Sequence, residues 1–440
     1  MVHHPTQSKN MNSERSKNLR RLLSPRHVAF IGGQWAISAL ERCARFGFQG
    51  QMWLVNPRLS ETDVGEVFAA VEDLPEGPDA IYLAVSSEKA IDTVGRLAAI
   101  GAGGCICFAA GFSEKGGEGI ALENDLTHAA GDMALVGPNC YGMLDCRTGL
   151  HLWSGDVLER SQGPGIGLVS QSGALAEFLT MPQRSVPFVS IISVGNQAVV
   201  TLEEIAEAMV EDEGINVIGM YIEGIKDIPR FSRMAAAAAA ANKPVVVIKV
   251  GRTKQAAQVT MGHTSSLAGT PELYDALFER LGVVRVDTLA QFLETTKLLS
   301  ILGPLPGRRL AAITVSGGEA AMIADYAAQI GLTLPELNER QMGVLKSCLP
   351  DVVNIMNPFD MTVFVFDDAK LLKQTFDTIA DGDFDVVVAM METYPYPGAP
   401  FAEIMQTMIE LFCQAIKESK VCGIAAGALP ETLPESIRHP

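Results

Sequence analysis

Short apolar runs recur along the chain, separated by stretches with helical spacing: HVAFIGG, QMWLVNP, DAIYLAVS, GCICFAAGF, MALVGPN, GIGLVS, VSIISVG, VIGMYIEG, PVVVIKVG, LAAITVSGG and DVVVAMMET. The runs are continuous rather than alternating. That is the pattern of parallel strands covered on both faces, and helices between them make βαβ units. The fold class is therefore α/β, built on doubly wound parallel sheets. The alanine run MAAAAAAANKP reads as one of the covering helices, because alanine is the best helix former and packs closely on a sheet.

Two seams interrupt this alternation. One lies near 150–163, in TGLHLWSGDVLERSQGPG, and the other is the Pro- and Gly-rich LGPLPGRR at 302–309. They predict domains at 20–150, 163–301 and 307–440, after a polar N-terminus read as disordered over 1–19 and frayed to about Ser13. The second and third domains open alike, with GLVSQSGALAEFL (167–179) and AAITVSGGEAAMIADYA (311–327). Each is an apolar strand, a Ser/Gly turn and an Ala-rich helix, which suggests a duplicated flavodoxin-like unit. Such a turn exposes backbone N–H groups at the positive end of a helix dipole, and small residues let an anion approach. An ordinary glycine-rich βα turn gives the same pattern.

Charge narrows the ligands. A net charge of −17 argues against nucleic acid or an anionic membrane as partner, since both need a basic face. Small anions must then be held by backbone amides, helix N-termini or single cations. No run reaches transmembrane length, and the start MVHHPTQSKNMNSERSKNLRRLL has no signal-type apolar region. The 8 cysteines show no zinc spacing, so no metal site is expected and buried, reduced thiols of a cytoplasmic protein are the reading. Cys105 and Cys107 alternate along one strand, and Cys140 reads as packing because no base neighbours it.

GHTSSLAG, at 262–269, holds one of only 7 histidines. Gly262 and Gly269 permit φ > 0 backbone, and Thr264, Ser265 and Ser266 offer an N-cap for LAGTPELYDALFERLGVV. A lone histidine in a loop is most often structural. Here the small, glycine-flanked setting suits an imidazole presented for chemistry.

At this point the chain resembles the nucleoside-diphosphate-forming acyl-CoA synthetases, the ADP-forming acetate–CoA ligase and succinyl-CoA synthetase superfamily. The resemblance runs from about Val28 to Pro430. It rests on VNPR (55–58), AAGFSEKG (109–116), GPNCYGML (137–144), VSQSGALA (169–176), SVGNQA (193–198), YIEGIKD (221–227), KPVVVIKVGRT (243–253), GHTSSLAG, VSGGEAAMIAD (315–325) and NPFDMT (357–362), in the family's order. It implies a CoA-binding Rossmann-type domain followed by two succinyl-CoA synthetase-like flavodoxin domains. It also implies a reaction in which acyl-CoA and phosphate give an acyl phosphate, and a histidine then carries the phosphoryl group to ADP on an ATP-grasp domain.

Transferred by motif, His263 would be the phosphorylated histidine and Glu223 its acidic partner, a carboxylate that fixes the tautomer. Ser170, Gln171, Ser172 and Gly173 would hold the phosphoryl group from one side, and Ser316, Gly317 and Gly318 from the other. Asn357 and Asp360 would support the second turn. Gly32, Gly33, Asn56, Pro57, Arg58 and Asn139 would bind CoA. ADP or ATP with Mg2+ would enter through an ATP-grasp subunit or a further domain, and an oligomer acting on a small carboxylic acid is expected.

The sequence also departs from the family. Gln34, Trp35, Ala36 and Ile37 stand where further glycines are usual, and Val199, Val200 and Thr201 follow SVGNQA where an Asp is usual. The third domain reads as short of a last βα unit. The alternative readings are a CoA or acyl-CoA sensor of the same fold and, from the first domain alone, a nicotinamide-dependent oxidoreductase. The latter is disfavoured because FIGGQWAIS lacks G-x-G-x-x-G.

Overall fold

A computed structural model describes residues 7–156, 160–161, 163–181, 184–253, 255–256, 270–366, 368–392, 402–429 and 432. The chain divides into two compact units, Met1–Ile301 and Leu302–Pro440.

The first unit holds two sheets. In one, β1 (His27–Gly32), β2 (Gln51–Val55), β3 (Glu66–Phe68), β4 (Ala80–Ala84), β5 (Gly104–Cys107) and β6 (Ala134–Val136) lie parallel in the order β3-β2-β1-β4-β5-β6. That order reverses direction between β1 and β4, and a doubly wound sheet opens its binding crevice at that switch point.

The other sheet contains β7 (Gly142–Asp145), β8 (Leu150–Trp153), β9 (Gly165–Ser170), β10 (Phe188–Ser193), β11 (Ile215–Ile222), β12 (Val245–Lys249) and β13 (Val284–Val286), in the order β13-β12-β11-β9-β10-β7-β8. Its five later strands are parallel with flavodoxin-like connectivity, which puts the switch point between β9 and β11. β7 and β8 add an antiparallel hairpin to its β10 edge.

The helices of this unit include α1 (Gln7–Leu23), α2 (Gln34–Phe46), α3 (Ser87–Ala99), α4 (Glu118–Ala130), α5 (Gly173–Thr180), α6 (Leu202–Glu211), α7 (Ile228–Ala240), α8 (Pro271–Leu281) and α9 (Leu289–Leu302). Their ends follow local chemistry. Thr201 and Glu204 close a capping box on α6, and Asp227 caps α7, whose second residue is Pro229. The alanine run is α7 as expected, with Phe231, Met234, Ala235 and Ala238 buried.

Two features differ from the sequence reading. The stretch taken as a seam carries β8, every residue of which is buried; a search for parallel runs misses an antiparallel edge. α8 begins at Pro271 behind Thr270, where proline pre-sets the first helical φ; Thr264–Ser266, expected to offer an N-cap, lie outside the described residues. From Gln7 onwards the N-terminus expected to be disordered is helix α1. Leu19 and Leu22 are buried, Asn18 donates to the Asp132 carbonyl at 2.9 Å, and Arg21 donates to Asp79 at 2.8 Å and to the Gly77 carbonyl at 3.0 Å. A polar helix with one short apolar stripe reads as disorder until its ion-pair partners, far away in sequence, are known.

The second unit is a parallel sheet of β14 (Leu310–Thr314), β15 (Phe359–Asp360), β16 (Val386–Met390) and β17 (Cys422–Ala426), in the order β15-β14-β16-β17. Its helices are α10 (Gly317–Ile330), α11 (Glu339–Cys348), α12 (Ala369–Ala380) and α13 (Ala402–Glu418). A core including Phe359, Phe376, Met408 and Phe412 lies under α12 and α13. Of the cysteines, Cys43, Cys105, Cys107, Cys140 and Cys146 are buried; Cys348 and Cys422 are half-buried and Cys413 is exposed, so the expectation of buried thiols holds for the first unit only. Among the described residues no helix is long and apolar enough to cross a membrane.

Leu22 has no exposed surface, so Leu22→Ala leaves a cavity between α1 and β5. Equilibrium urea unfolding should show a loss of about 2–4 kcal/mol. A loss below about 0.5 kcal/mol would mean that α1 is not docked.

Candidate active site

The switch point between β9 and β11 brings Ser170–Gly173 together with Glu223–Gly224. Ser170 and Tyr221 are register partners on adjacent strands. Beyond them the strands diverge, and the buried Gln171 side chain spans the gap. Its amide nitrogen donates to the Gly224 carbonyl at 2.7 Å, and its oxygen accepts from the Glu223 and Gly224 N–H groups, the latter at 3.0 Å. Its backbone N–H is taken by the Tyr221 carbonyl at 3.2 Å. Gln171 therefore commits its carbonyl oxygen and one amide N–H to the Glu223–Gly224 strand end. It fixes the Glu223 strand end against the turn.

The rest of the turn faces helix α5. Ser170 is fully buried; its hydroxyl donates to the Ser172 carbonyl at 2.7 Å and accepts from the Ser172 N–H at 3.1 Å. Ser172 caps α5 by accepting from the Leu175 N–H at 3.4 Å. The N–H groups of Gly173 and Ala174, in the first turn, have no intrahelical acceptor by helix geometry. Gly173 lies against the Tyr141 ring, 2.3 Å from where a Cβ would sit, so no larger residue fits. The anion end is a pair of backbone amides on a helix backed by an aromatic ring.

Glu223 is half-buried beside Lys249, the last residue of β12. Lys249 donates to the Glu223 carbonyl at 2.8 Å and to that of Val250, and its ammonium lies 4.4 Å from the Tyr274 ring centroid. Burial pushes Lys249 down to about 8 against the pull of the Glu223 carboxylate. Burial together with Glu223 pushes the neighbouring Tyr221 up to about 12. Lys249 went unnoticed in sequence; the available signal was a lysine ending an apolar run next to the strand of Glu223.

A polar cluster ties the two sheets of this unit. The Asn196 amide donates to Glu114 at 2.6 Å, Glu123 at 2.8 Å and Ser113 at 3.2 Å, and accepts from Asn139 at 3.4 Å. Lys226 donates to the Asn196 and Gln197 carbonyls at 3.0 and 2.9 Å. Burial raises the Glu114 carboxyl, but hydrogen bonds from Asn196 and the Gly111 and Phe112 N–H groups outweigh it and hold it below the usual carboxylate range. Val199 and Val200 are buried and Thr201 is the α6 cap, so this stretch is core and helix start.

The other crevice lies at the β1–β4 switch point. Gly32 has φ +141 and its would-be Cβ falls 2.2 Å from the Ala84 carbonyl oxygen, so the turn demands glycine there. Gly33 faces open space and precedes the first turn of α2, where Gln34 and Trp35 stand. Ala36 is buried against the sheet. Asn56 is buried; it donates to the Gly32 carbonyl at 3.1 Å and accepts from the Arg58 N–H at 2.9 Å, joining the ends of β1 and β2. Pro57, Arg58 and Asn139 are exposed. A cavity of about 450 Å³ opens here, its walls including Trp35, Val85, Phe108, Ala110, Asn139 and Tyr141. Tyr141 borders both this cavity and the α5 turn.

The Ser316–Gly317–Gly318 turn, expected to hold a phosphate, has a different setting. Ser316 precedes α10 without a side-chain cap bond, and three carboxylates surround the helix end. Glu319 accepts from the Thr314 hydroxyl, and the Asp360 carboxylate lies 3.3 Å from a would-be Cβ on Gly317. Burial and the neighbouring Glu392 and Asp360 push Glu319 above its ordinary value. Asn357 donates to the Leu310 and Pro335 carbonyls at 2.8 and 2.9 Å and accepts from the Ala312 N–H at 3.0 Å, holding the turn's strand. His263 and its loop lie outside the described residues. Among the described residues no cluster of metal-ligating side chains occurs.

Residues 26–145 match the family described as CoA binding domain, and residues 163–299 match the succinyl-CoA ligase like flavodoxin domain. The two crevices thus fall one in each domain. With an ADP-forming acetate–CoA ligase I subunit alpha from Pyrococcus furiosus the chain is 30% identical over 78% of its own length and 77% of that protein's; it belongs to the nucleoside-diphosphate-forming acyl-CoA synthetase family. It is 31% identical to a trans-feruloyl-CoA synthase from an unknown prokaryotic organism, over 89% of this chain and 58% of that one. The chain spans about half the length of several other curated relatives. A solved dinucleotide-forming acetyl-coenzyme A synthetase 1 from Ca. Korarchaeum cryptofilum, in complex with phosphate and ADP, matches with a TM-score of 0.81 at 26% identity, covering 93% of this chain and 88% of that one.

The carboxylate cluster at α10 gives a pH prediction. Glu319 binds its proton more tightly folded than unfolded, so its contribution to stability is lost as pH rises past the folded value. Glu319→Gln should raise the unfolding midpoint of the second unit by about 2–4 °C at pH 8, a gain that shrinks towards pH 4. Calorimetric scans that show a lower or pH-independent midpoint would contradict the arrangement.

Proposed function

We propose that this chain is the CoA-binding and phosphohistidine-bearing part of an ADP-forming acyl-CoA ligase. The observation that carries the reading is the Gln171 clamp, which holds a carboxylate-bearing strand end beside a helix start with free amides, inside the domain similar to succinyl-CoA ligases.

Phosphate bound at the Gly173 and Ala174 N–H groups attacks the thioester carbonyl of an acyl-CoA. The C–S bond breaks, CoA leaves as the thiolate, and an acyl phosphate forms. An imidazole nitrogen of His263 then attacks phosphorus, the P–O bond to the acyl group breaks, and the carboxylic acid departs. Glu223 accepts the other ring N–H, keeping the attacking nitrogen unprotonated and stabilising the imidazolium character that develops. Lys249 offsets the added negative charge through the Glu223 backbone. The reverse sequence makes acyl-CoA.

In this reading Ser170 and Ser172 shape the phosphate turn, and Gln171 positions Glu223 beside it. The Ser316–Gly318 turn, already faced by carboxylates, plays a supporting role at most. Gly32, Gly33, Asn56, Pro57, Arg58 and Asn139 serve CoA, with the exposed Arg58 as the cation for a phosphate. An ATP-grasp domain, in a partner subunit or elsewhere in a longer chain, takes the phosphoryl group to ADP with Mg2+. The substrate is a carboxylic acid and the setting the cytoplasm.

Incubation with acetyl-CoA and inorganic phosphate should add one phosphate, seen by intact mass, lost in mild acid and mapped to GHTSSLAG. His263→Ala should abolish the adduct and leave CoA binding within about twofold; Glu223→Gln should slow its formation at least about tenfold. Labelling retained in His263→Ala would refute the assignment.

A further inference from the structure

Trp35 is 56% exposed, whereas Trp53 and Trp153 are 2% and 1% exposed. A large apolar ring left in water on the first turn of a helix needs a reason. Position 35 is also where the resemblance led us to expect glycine. The indole is not loose: it packs against Phe108 with ring centroids 5.5 Å apart and planes at 40°, and both rings line the 450 Å³ cavity.

The chemistry of that cavity selects one part of CoA. Among the described residues no lysine or arginine lines it, so these walls offer nothing to pair with the phosphates of the adenosine end. Ser86 and Asn139 supply hydrogen-bonding groups, and Val85, Ala109 and Cys140 supply apolar wall. That mixture fits a neutral chain with amides and methyl groups. The cavity also borders both functional turns. Its lining includes Trp35, in the first turn of α2, and Tyr141, whose ring lies against Gly173 at the start of α5. A thiol-ended arm running from Trp35 towards Tyr141 would bring its sulfur to the phosphate turn.

We propose that Trp35 and Phe108 form an aromatic slot that grips the pantetheine arm of CoA. Trp35 thereby takes over by ring contact some of the hold that a glycine-rich turn would give through backbone amides. The inference rests on the CoA reading above. Aromatic faces contacting amide and methyl groups gain from both buried area and ring electrostatics, and a truncated indole loses both.

Trp35 being the exposed tryptophan, its emission reports the slot directly. Calorimetric and fluorescence titrations of the whole chain with CoA, pantetheine and adenosine 3′,5′-bisphosphate separate the possibilities. CoA and pantetheine should both shift the emission, and the bisphosphate should not. Trp35→Ala should weaken CoA and pantetheine by about tenfold or more, while Trp35→Phe stays within about threefold. CoA binding to the wild type with unmoved emission, or with Trp35→Ala within twofold, would overturn the slot and leave the CoA reading intact. Emission that follows the bisphosphate but not pantetheine would also overturn it, placing Trp35 at the adenosine end. Failure of the wild type to bind CoA by calorimetry would instead overturn the underlying reading.

Discussion

The side-chain amide of Gln171 holds the middle of the seven-stranded sheet in the first unit. Two parallel strands that separate at a switch point leave backbone N–H and C=O groups facing each other across a gap too wide for a ladder. Gln171 supplies one donor and one acceptor to close it, with bonds of 2.7 and 3.0 Å to Gly224. Each bond contributes only about 1 kcal/mol net, but a buried group left unpaired costs about 1–3 kcal/mol. The clamp is therefore dictated by the opening itself. Its consequence is chemical: Glu223 is carried on the clamped strand end, and α5 starts two residues beyond the clamp.

The same constraint operates in the first sheet. There the gap between β1 and β4 is crossed by backbone contact, with the Ala84 carbonyl pressed so close to Gly32 that only glycine fits. Asn56 takes the Gln171 role on the other side, bonding the Gly32 carbonyl from the end of β2. Tyr141, bordering both crevices, and the Asn196 cluster, bonded to Ser113, Glu114 and Glu123, join the two sheets. A cofactor cavity and an anion turn become neighbours because two switch points share one set of connecting residues.

Much of this was legible from residue order. The buried parallel strands announce themselves as unbroken apolar runs, and the helix after GLVSQSG starts where its serine cap says it should. The antiparallel β7–β8 hairpin was missed because LHLW sits in a polar, glycine-rich setting. α1 was missed because its stability comes from Asp79 and Asp132, which no local pattern links to it. Gln171 looked like an anion ligand because its motif surrounds it with serines; only the geometry shows its amide also tying the Glu223–Gly224 strand end to the turn. Likewise the carboxylates around Gly317 come from β15 and the end of β16 as well as α10, so the turn alone could not reveal them. Sequence spacing reports what a turn offers, not what the fold places opposite it.

The most direct test is phosphate-dependent release of free thiol from acyl-CoA by the purified chain, followed by thiol titration over a panel of short-chain and aromatic thioesters. The account predicts that at least one thioester gives a burst approaching one CoA per chain, requires inorganic phosphate, and leaves acyl phosphate in solution or phosphate on the protein. Tight CoA binding with no phosphate-dependent thiol from any thioester would contradict it and make the chain a CoA-binding sensor.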